Sequence, residues 1–399
     1  MLFVLNLIGV IVVIAIAILC SRERRKIDFT AVLIMLVIQF VIAWAMLTTT
    51  IGGKVIQAIS RFFLWLIDCS MSGIQFVFGS LVPATGQAPF FISVLMPIIF
   101  IVAFFDILTY FRIMPLLINS IGWVLSKLTR TPRFESFFAT QVMFLGNNEV
   151  LAITRDELAR MDNKRLLTAC MLGMSCISVG VLGGYMQLIN PTYVLMAIPL
   201  NALGALIITS MLNPYTVTPE ENVAYRPTAS DTKRNFFNTI TESMLTGGKM
   251  ALIIAAVLMG FTALITCINS VLALVYSGLT LENIFAVIFA PFAYLMGVPT
   301  SNVFSVAQFM GEKLATNEFI AMGRLHPILP TLDRHTEAVI SAFLVSFCNF
   351  STIGIILGSV RALFTEDRAA FIAQNTWRLL VSGLLVSFLT AMIVGLFVW

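Results

Sequence analysis

One stretch decides the fold of this chain: Phe144-Leu145-Gly146-Asn147-Asn148-Glu149-Val150-Leu151-Ala152, which places two amides and a carboxylate inside an apolar run. A second stretch, Ala315-Thr316-Asn317-Glu318-Phe319-Ile320-Ala321, repeats Asn-Glu, two large apolar residues and Ala. A carboxylate at bilayer depth is costly and usually faces a partner or a water-filled cavity. Two of them in matching contexts predict a functional site and two halves built on one plan.

The composition is that of a membrane protein. Of the 399 residues, 59% are hydrophobic and 11% are charged, and the mean hydropathy is +0.97. Soluble domains carry charge on about a quarter of their residues, so a soluble globular fold is excluded. We therefore expect an all-α polytopic membrane protein. The net charge of +4 matters less than where the basic residues lie.

Apolar runs of about 20 residues are long enough to cross a hydrocarbon core of roughly 30 Å. We predict eight transmembrane helices, at residues 2–20, 29–49, 90–111, 166–188, 191–212, 248–276, 336–362 and 370–399. The basic run from Ser21 to Lys26 is expected on the cytoplasmic side, which places both termini outside. Three interfacial helices are predicted to lie along the membrane surfaces, at residues 53–72, 113–129 and 281–299.

The two glutamate stretches fit two re-entrant helical hairpins, near residues 134–156 and 300–330. Basic residues stand on both sides of the first hairpin, so the chain is expected to enter and leave the membrane on the cytoplasmic side. Polar tips at mid-membrane are tolerated where they line a cavity. The second hairpin is expected to open outward, which makes the two halves inverted repeats.

Two of the predicted spans are interrupted by small and polar residues. The interruptions are Ser175-Cys176-Ile177-Ser178-Val179-Gly180 and Asn349-Phe350-Ser351-Thr352-Ile353-Gly354. Ser178-Val179-Gly180-Val181 aligns with Thr352-Ile353-Gly354-Ile355. We therefore predict two broken helices, which meet the two hairpin tips at a site near the membrane midplane.

Eight residues of the tips and breaks are candidates for substrate binding. They are Gly146, Asn147, Asn148, Glu149, Asn317, Glu318, Asn349 and Thr352. Amides and carboxylates together can satisfy a ligand with many hydroxyl or ring NH groups. No catalytic residue, cofactor or metal site is predicted, because there is no phosphate-cradling loop and the two histidines are badly spaced for metal binding.

Structural roles compete with this interpretation for single residues. Thr352 alone is equally compatible with a hydrogen bond to a neighbouring helix. Ser178 fits packing or a helix break better than a ligand role. Asp106 is expected to pack between helices or to lie at the interface, and His335 to be a solvated loop residue.

Three functional classes remain open from the residues. A secondary transporter explains the duplicated, amide-rich site. A membrane-embedded enzyme would need only a close pair of carboxylates as acid and base. A channel should show a continuous polar stripe, whereas both hairpins have apolar arms. The pattern favours the transporter.

The chain resembles the concentrative nucleoside transporter family, and the bacterial nucleoside permeases within it, over nearly its whole length. Gly146-Asn147-Asn148-Glu149 stands where the family has Gly-Gln-Thr/Ser-Glu. Asn317-Glu318-Phe319-Ile320-Ala321 is similar to Asn-Glu-Phe-Val-Ala, and Asn349-Phe350-Ser351-Thr352-Ile353-Gly354 to Asn-Phe-Gly/Ser-Ser-Ile-Gly. Met296-Gly297-Val298-Pro299 and Asn213-Pro214-Tyr215 also resemble family signatures.

The resemblance implies import of nucleosides, such as uridine or adenosine, across the bacterial cytoplasmic (inner) membrane by ion symport. It implies a homotrimer in the lipid bilayer, in which each transport domain moves like an elevator against a scaffold. Nucleobase contacts are implied for Asn147 and Glu149, and ribose contacts for Glu318, Asn349 and Thr352. Asn147 is shorter than the usual Gln, and Thr352 replaces Ser. No enzymatic activity and no nucleic acid partner are expected.

The resemblance also divides the chain into a scaffold and a transport domain. The segments are 1–133 (scaffold spans and interfacial helices), 134–212 (first half of the transport domain), 213–246 (cytoplasmic linker), 247–280 (scaffold span), 281–363 (second half of the transport domain) and 364–399 (C-terminal span). The linker is expected to be solvated, because it is the one long polar segment.

The coupling ion is expected to be a proton. Sodium-coupled relatives carry an Asn seven residues before the first tip glutamate and a Ser in the first broken helix. Here Val142 and Cys176 stand at those positions, and neither offers the oxygen that sodium prefers. Desolvation favours the protonated form of a carboxyl group, so Glu149 and Glu318 are the candidate proton carriers. Sodium coupling is the alternative.

Overall fold

The computed structural model describes residues 2–82, 89–129, 131–218 and 235–399, and all regular structure in these ranges is helical. The α-helices are α1 (Leu2–Leu19), α2 (Phe29–Thr48), α3 (Thr50–Phe78), α4 (Pro97–Tyr110), α5 (Ile113–Thr129), α6 (Arg133–Leu145), α7 (Asn147–Ile153), α8 (Arg155–Arg160), α9 (Asn163–Ser175), α10 (Val179–Leu188), α11 (Pro191–Leu212), α12 (Phe236–Val275), α13 (Leu281–Leu295), α14 (Val303–Ala315), α15 (Glu318–Leu325), α16 (Arg334–Leu344), α17 (Phe350–Leu363), α18 (Glu366–Gln374) and α19 (Thr376–Gly395). A π-helical turn, Phe91–Leu95, precedes α4. Of the predicted linker, residues 219–234 lie outside the described ranges.

Eight helical segments of the described chain are long and apolar enough to cross a membrane. They are Leu2–Leu19, Phe29–Thr48, Thr50–Phe78, Phe91–Tyr110, Asn163–Leu188, Pro191–Leu212, Phe236–Val275 and Thr376–Gly395. This set includes α3, which we predicted as an interfacial helix. It omits the predicted span 336–362, because α16 and α17 are each shorter than a bilayer crossing.

The helices form an inner group and an outer group. Every residue of the apolar window in Asn163–Leu188 is buried, whereas only 11% of the window in α12 is. At the centre, α19 packs against α1, α9, α11 and α16. A helix that is apolar all round and exposed in the folded chain is typical of contact with lipid or another membrane helix.

Side-chain caps explain where the helices around the broken segments begin. The Asn349 carboxamide accepts a hydrogen bond from the Thr352 N–H at 2.8 Å and caps α17. The Ser178 hydroxyl accepts from the Gly180 N–H at 3.1 Å and caps α10. Asn and Ser are favoured at this position because they satisfy N–H groups that have no partner within the helix. Thus the residues that interrupt a span also restart the helix.

The second break differs in position from the prediction. The unwound residues are 345–349, and residues 350–354 already belong to α17. The cause is the Asn349 cap, which starts the helix before Thr352. By their capping role Ser178 corresponds to Asn349, whereas Thr352 lies in the first turn of α17.

Two further helix boundaries and the environment of one histidine differ from expectation. Helix α12 begins at Phe236, so the end of the predicted linker is helical and capped by Asn235. The C-terminal segment is two helices, α18 and α19, divided at Asn375. His335 is buried, and its Nδ1 and Nε2 lie 2.7 Å from Val398 O and 2.8 Å from Met296 O. The prediction of a solvated histidine is therefore wrong.

Basic side chains gather at one end of the bundle and hold helix termini together. Arg378 donates to Leu212 O at 3.2 Å and to Cys20 O at 3.3 Å. Lys164 pairs with Glu23 at 2.6 Å, and Lys164 together with Lys26 lowers the pKa of Glu23 to about 2. Cations at helix C-termini interact favourably with the helix dipole. This end has the charge that the sequence predicts for the cytoplasmic side.

Candidate functional site

The first tip is a glycine turn between α6 and α7. Gly146 has a φ of +91°, a backbone conformation that residues other than glycine rarely adopt. A Cβ at this position would lie 2.8 Å from Glu149 Oε2 and 3.3 Å from Ser178 Cβ. The turn therefore requires glycine both for its backbone and for the close approach of the Glu149 carboxylate.

Asn147, the first residue of α7, is held against a notch in α9. A Cβ added to Gly173 would lie 2.0 Å from Asn147 Oδ1, so the carboxamide occupies the space that this glycine leaves open. The residue is only 7% exposed, and neither polar atom of its carboxamide has a hydrogen-bond partner among the residues that the structure describes. Buried polar groups without partners are rare and costly. The side chain of Asn148 lies outside the described part of the chain.

The second tip is built differently, because its glutamate has two donors. Glu318 Oε1 accepts a hydrogen bond from the Tyr185 hydroxyl at 2.7 Å, and Glu318 Oε2 accepts from Asn349 Nδ2 at 2.9 Å. Asn317 caps α15 through the Ile320 N–H. The Tyr185 ring packs edge-on against Phe319, with centroids 4.8 Å apart. Both carboxylate oxygens of Glu318 are thus satisfied within the protein.

The two tips meet in one cavity of about 380 Å³. Its lining includes seven of the eight predicted site residues: Gly146, Asn147, Glu149, Asn317, Glu318, Asn349 and Thr352. The rest of the lining is Ser178, Val181, Thr246, Lys249, Met250, Ile253, Ile254, Val257, Phe319, Phe347, Ser351 and Ile355. Apolar walls with a few convergent polar groups suit a small ligand that has a flat apolar body and polar edges.

The packing of the helices explains why these residues converge. Helix α7, from the first tip, contacts α17, and helix α15, from the second tip, contacts α10. Each tip therefore packs against the broken helix of the other half. Helix α12 closes one side of the cavity with Thr246 and Lys249.

Sequence reasoning missed two groups at this site. Tyr185 lies in an apolar run, where the one available signal is that a buried tyrosine hydroxyl usually finds a partner. The sequence pattern predicts no role for Lys249, because only the folded structure shows that its helix lines the cavity. The negative charge of Asp106 acts on Glu149. The Asp106 carboxylate accepts a hydrogen bond from the Ser243 hydroxyl at 2.5 Å. That bond joins α4 to α12, in agreement with the packing role expected for Asp106.

The two positions from which we predicted the coupling ion are both buried. Val142 is 0% exposed on α6, and Cys176 is 1% exposed in the break between α9 and α10. Neither side chain brings an oxygen into the first half of the site. The side-chain oxygens near this tip belong to Asn147, Glu149 and Ser178.

A cavity lined by carboxylates and amides, buried among helices long enough to cross a membrane, defines a multi-pass membrane transporter. Comparisons with known proteins give the particular family. Models of the Na+ dependent nucleoside transporter match residues 8–81 (N-terminus) and 193–395 (C-terminus), and a model named Gate, for nucleoside recognition, matches residues 91–192.

Individual relatives match over the full length. The purine nucleoside transport protein NupG of Bacillus subtilis (strain 168) is 48% identical over 399 residues, which cover 100% of both chains. The putative nucleoside permease NupX of Escherichia coli (strain K12) is 32% identical and covers 98% of each chain. The solved structure of CNTnw in an inward-facing substrate-bound state has a TM-score of 0.92 at 28% identity, covering 100% of this chain and 98% of that one.

The chain belongs to the concentrative, Na+ dependent nucleoside transporter family, and the resemblance drawn from its motifs is confirmed. Its relatives are transporters, so the alternative of a membrane-embedded enzyme is set aside.

Proposed function

We propose that this protein imports nucleosides, with a preference for purine nucleosides, across the bacterial cytoplasmic membrane by proton symport. The observation that carries the proposal is the single cavity shared by Asn147, Glu149, Glu318 and Asn349. A nucleoside has a flat base with ring donors and acceptors and a sugar with hydroxyl groups, which matches this lining. The preference for purines is supported by the name of the relative that is 48% identical.

The residues divide between the two ends of the substrate. The unpartnered carboxamide of Asn147 and the carboxylate of Glu149 are assigned to the nucleobase, which offers both donors and acceptors. Glu318, Asn349 and Thr352 are assigned to the ribose. Asn317 and Gly146 shape the two tips, through a helix cap and a positive φ. Asn148 is assigned to the substrate site on the basis of the sequence motif alone.

Transport is proposed to follow an elevator mechanism of alternating access. The first unit, α6 to α8, and the second, α14 to α15, are assigned as re-entrant hairpins of two inverted repeats, and the segments 134–212 and 281–363 form the moving domain. The largely exposed outer helices support a scaffold in segments 1–133 and 247–280. The exposed apolar surface of α12 fits contact with other copies in a homotrimer. The basic end of the bundle supports an orientation with both termini outside.

Proton coupling is supported by the chemistry of the first tip. Val142 and Cys176 offer no oxygen ligand, whereas hard cations such as sodium prefer oxygen. Of the two candidate carriers, Glu318 already accepts hydrogen bonds from Tyr185 and Asn349. Glu149 faces the cavity from the first turn of α7 and is the better candidate for taking up the proton. Sodium coupling through backbone carbonyl groups is the alternative.

The test is uptake of labelled adenosine and uridine into proteoliposomes, with an inward proton gradient in one set and an inward sodium gradient in another. Accumulation with protons only, and faster for adenosine, is expected. Accumulation with sodium only would overturn the proton assignment and leave the substrate assignment intact. No uptake of either nucleoside would overturn the proposed function. Liposomes with the Glu149→Gln variant identify the carrier, because uptake by that variant should no longer respond to the pH gradient.

A further inference from the structure

We propose that Lys313 is a positioning residue for nucleoside binding: its ammonium group acts as a built-in cation that holds the break between α16 and α17. The proposal rests on the proposed function, because it concerns the same site. Lys313 does not line the cavity and is not assigned to the substrate. Its role is argued from its burial, its three acceptors and the segment that those acceptors belong to.

The ammonium group of Lys313 is fully used inside the protein. The residue is 0% exposed, and Nζ donates to Phe343 O at 2.5 Å, to Ser346 Oγ at 2.6 Å and to Ser387 Oγ at 3.2 Å. Nζ also lies 4.5 Å from the centre of the Phe343 ring. An ammonium group has three donors, so all three are satisfied. Two of the three acceptors belong to the end of α16 and to the break that follows it.

The break needs a donor at this point. The last carbonyl groups of a helix have no partner within the helix, and burial makes that costly. Around this break, Leu344 O accepts from the Ser346 N–H at 2.8 Å, and Val345 O accepts from the Asn201 side chain. Phe343 O is bound by Lys313. The lysine therefore completes the hydrogen bonding of a buried helix end and places positive charge at the negative end of its dipole.

The same lysine connects this break to the substrate site. It lies in the last turn of α14, five residues before Glu318. The break ends at Asn349, which donates to Glu318 at 2.9 Å. One side chain thus ties the arm that carries Glu318 to the segment that carries Asn349. Loss of the ammonium should loosen the Glu318–Asn349 pair without removing either residue.

The cost of burying this charge indicates that it has a use. The acceptors of Lys313 among the described residues are neutral oxygens, and no carboxylate lies within salt-bridge distance. Burial of an ammonium group without an ion-pair partner is expensive, and ionisable residues at such depth are usually functional. An apolar residue of similar length would fill the same space at lower cost.

The first experiment compares Lys313→Arg, Lys313→Gln and Lys313→Met with the wild-type protein in proteoliposomes. It measures KM and Vmax of adenosine uptake, and the Kd for adenosine in detergent. We expect Lys313→Arg to stay within about threefold of the wild-type Kd, and the two neutral variants to lose about 30-fold, which corresponds to about 2 kcal/mol, within the range of about 1.5–3 kcal/mol for a buried hydrogen bond to a charged group. Lys54→Met, which removes an exposed lysine of α3, is the matched control.

Two outcomes separate charge from shape. Ethylammonium should restore adenosine binding to Lys313→Ala, which has room for it, and not to Lys313→Met, whose side chain fills the space. Wild-type affinity in Lys313→Gln or Lys313→Met would overturn the proposal while leaving nucleoside transport by the wild-type protein intact. Absence of transport by the wild-type protein would instead overturn the proposed function.

A second pair of variants keeps the lysine and decides the question if the neutral variants do not fold. Ser346→Ala removes an acceptor within the break, and Ser387→Ala removes one on α19. If Lys313 acts by holding the break, Ser346→Ala should raise KM by at least about tenfold and Ser387→Ala, whose bond to Nζ is longer, by less, since a hydrogen bond to a charged group contributes about 1.5 kcal/mol or more. An unchanged KM in Ser346→Ala, or an equal effect of both variants, would overturn the proposal.

Discussion

The two tips present the same residue types in opposite states. At the second tip, Glu318 has two donors and Asn349 caps a helix, so the polar groups are satisfied within the protein. At the first tip, the carboxamide of Asn147 is buried, and neither of its polar atoms bonds to any described residue. An unsatisfied buried polar group costs about 1–3 kcal/mol, which a ligand that bonds to it can recover. The polar groups of the second tip are therefore satisfied within the protein, and those of the first tip are the ones that we propose the substrate satisfies.

The largest effect is expected from Glu318→Gln, which puts an amide NH₂ among the donors of Tyr185 and Asn349. Uptake measured as kcat/KM should fall by at least about 100-fold, because leaving donors to a buried charged group unsatisfied costs about 3 kcal/mol or more. The substrate-free protein should also melt at a lower temperature. Glu149→Gln is the matched control from the other tip, and it should leave the melting temperature nearly unchanged. Equal destabilisation by both variants would remove the distinction between the tips.

Asn147→Ala should weaken binding of adenosine by about tenfold, the change that corresponds to one lost hydrogen bond of about 1.4 kcal/mol. Because the carboxamide is unpartnered without substrate, its loss should not lower the stability of the substrate-free protein. Thermal unfolding with and without adenosine tests both statements. A variant that is less stable without substrate, yet binds adenosine normally, would show that the carboxamide serves packing.

Tyr185→Phe removes one donor to Glu318 and keeps the ring that packs on Phe319. KM for adenosine should rise by about fivefold, as expected for loss of a single bond in a network that keeps its Asn349 member. The matched control is Tyr193→Phe, because Tyr193 lies on α11 and does not line the cavity. A normal KM in Tyr185→Phe would mean that Glu318 is held by Asn349 alone.

The smallest effect is expected from Gly173→Ala. The added methyl group would fill the notch of Asn147, and the carboxamide, being the end of a flexible side chain, would move into the cavity. The ratio of adenosine to uridine uptake should fall about threefold, since a contact in a pocket is worth about 1 kcal/mol or less when it shifts without being lost. Gly53→Ala, where an added Cβ meets nothing within 4 Å, is the control.

Local chemistry made much of this site predictable. Asn and Glu inside apolar runs are so costly that their positions alone marked both tips. Cap preferences are also local, although the polar pattern predicts the second break about one turn too late, because the polar residues after Asn349 form the capped first turn of α17. The polar start of α12 was assigned to the linker, because its residues carry no apolar signal.

Roles that depend on distant segments were not predictable in this way. The acceptors of Lys313 lie 30 to 74 residues away along the chain, and Tyr185 reaches Glu318 across 133 residues. His335 was assigned to a solvated loop, although its ring packs near Trp399 and faces two backbone carbonyl groups. Such contacts are set by how the two halves pack, and no periodicity or spacing of one segment records them.

The length of α12 has a mechanical consequence. Its 40 residues span about 60 Å at 1.5 Å per residue, about twice the thickness of a hydrocarbon core. Even a tilt of about 40° leaves roughly 45 Å of projected height, so part of the helix must extend beyond the hydrocarbon core. The end at Phe236 carries the last part of the predicted linker. Because α12 is one continuous helix, a small change in its angle would displace its Phe236 end by several ångströms.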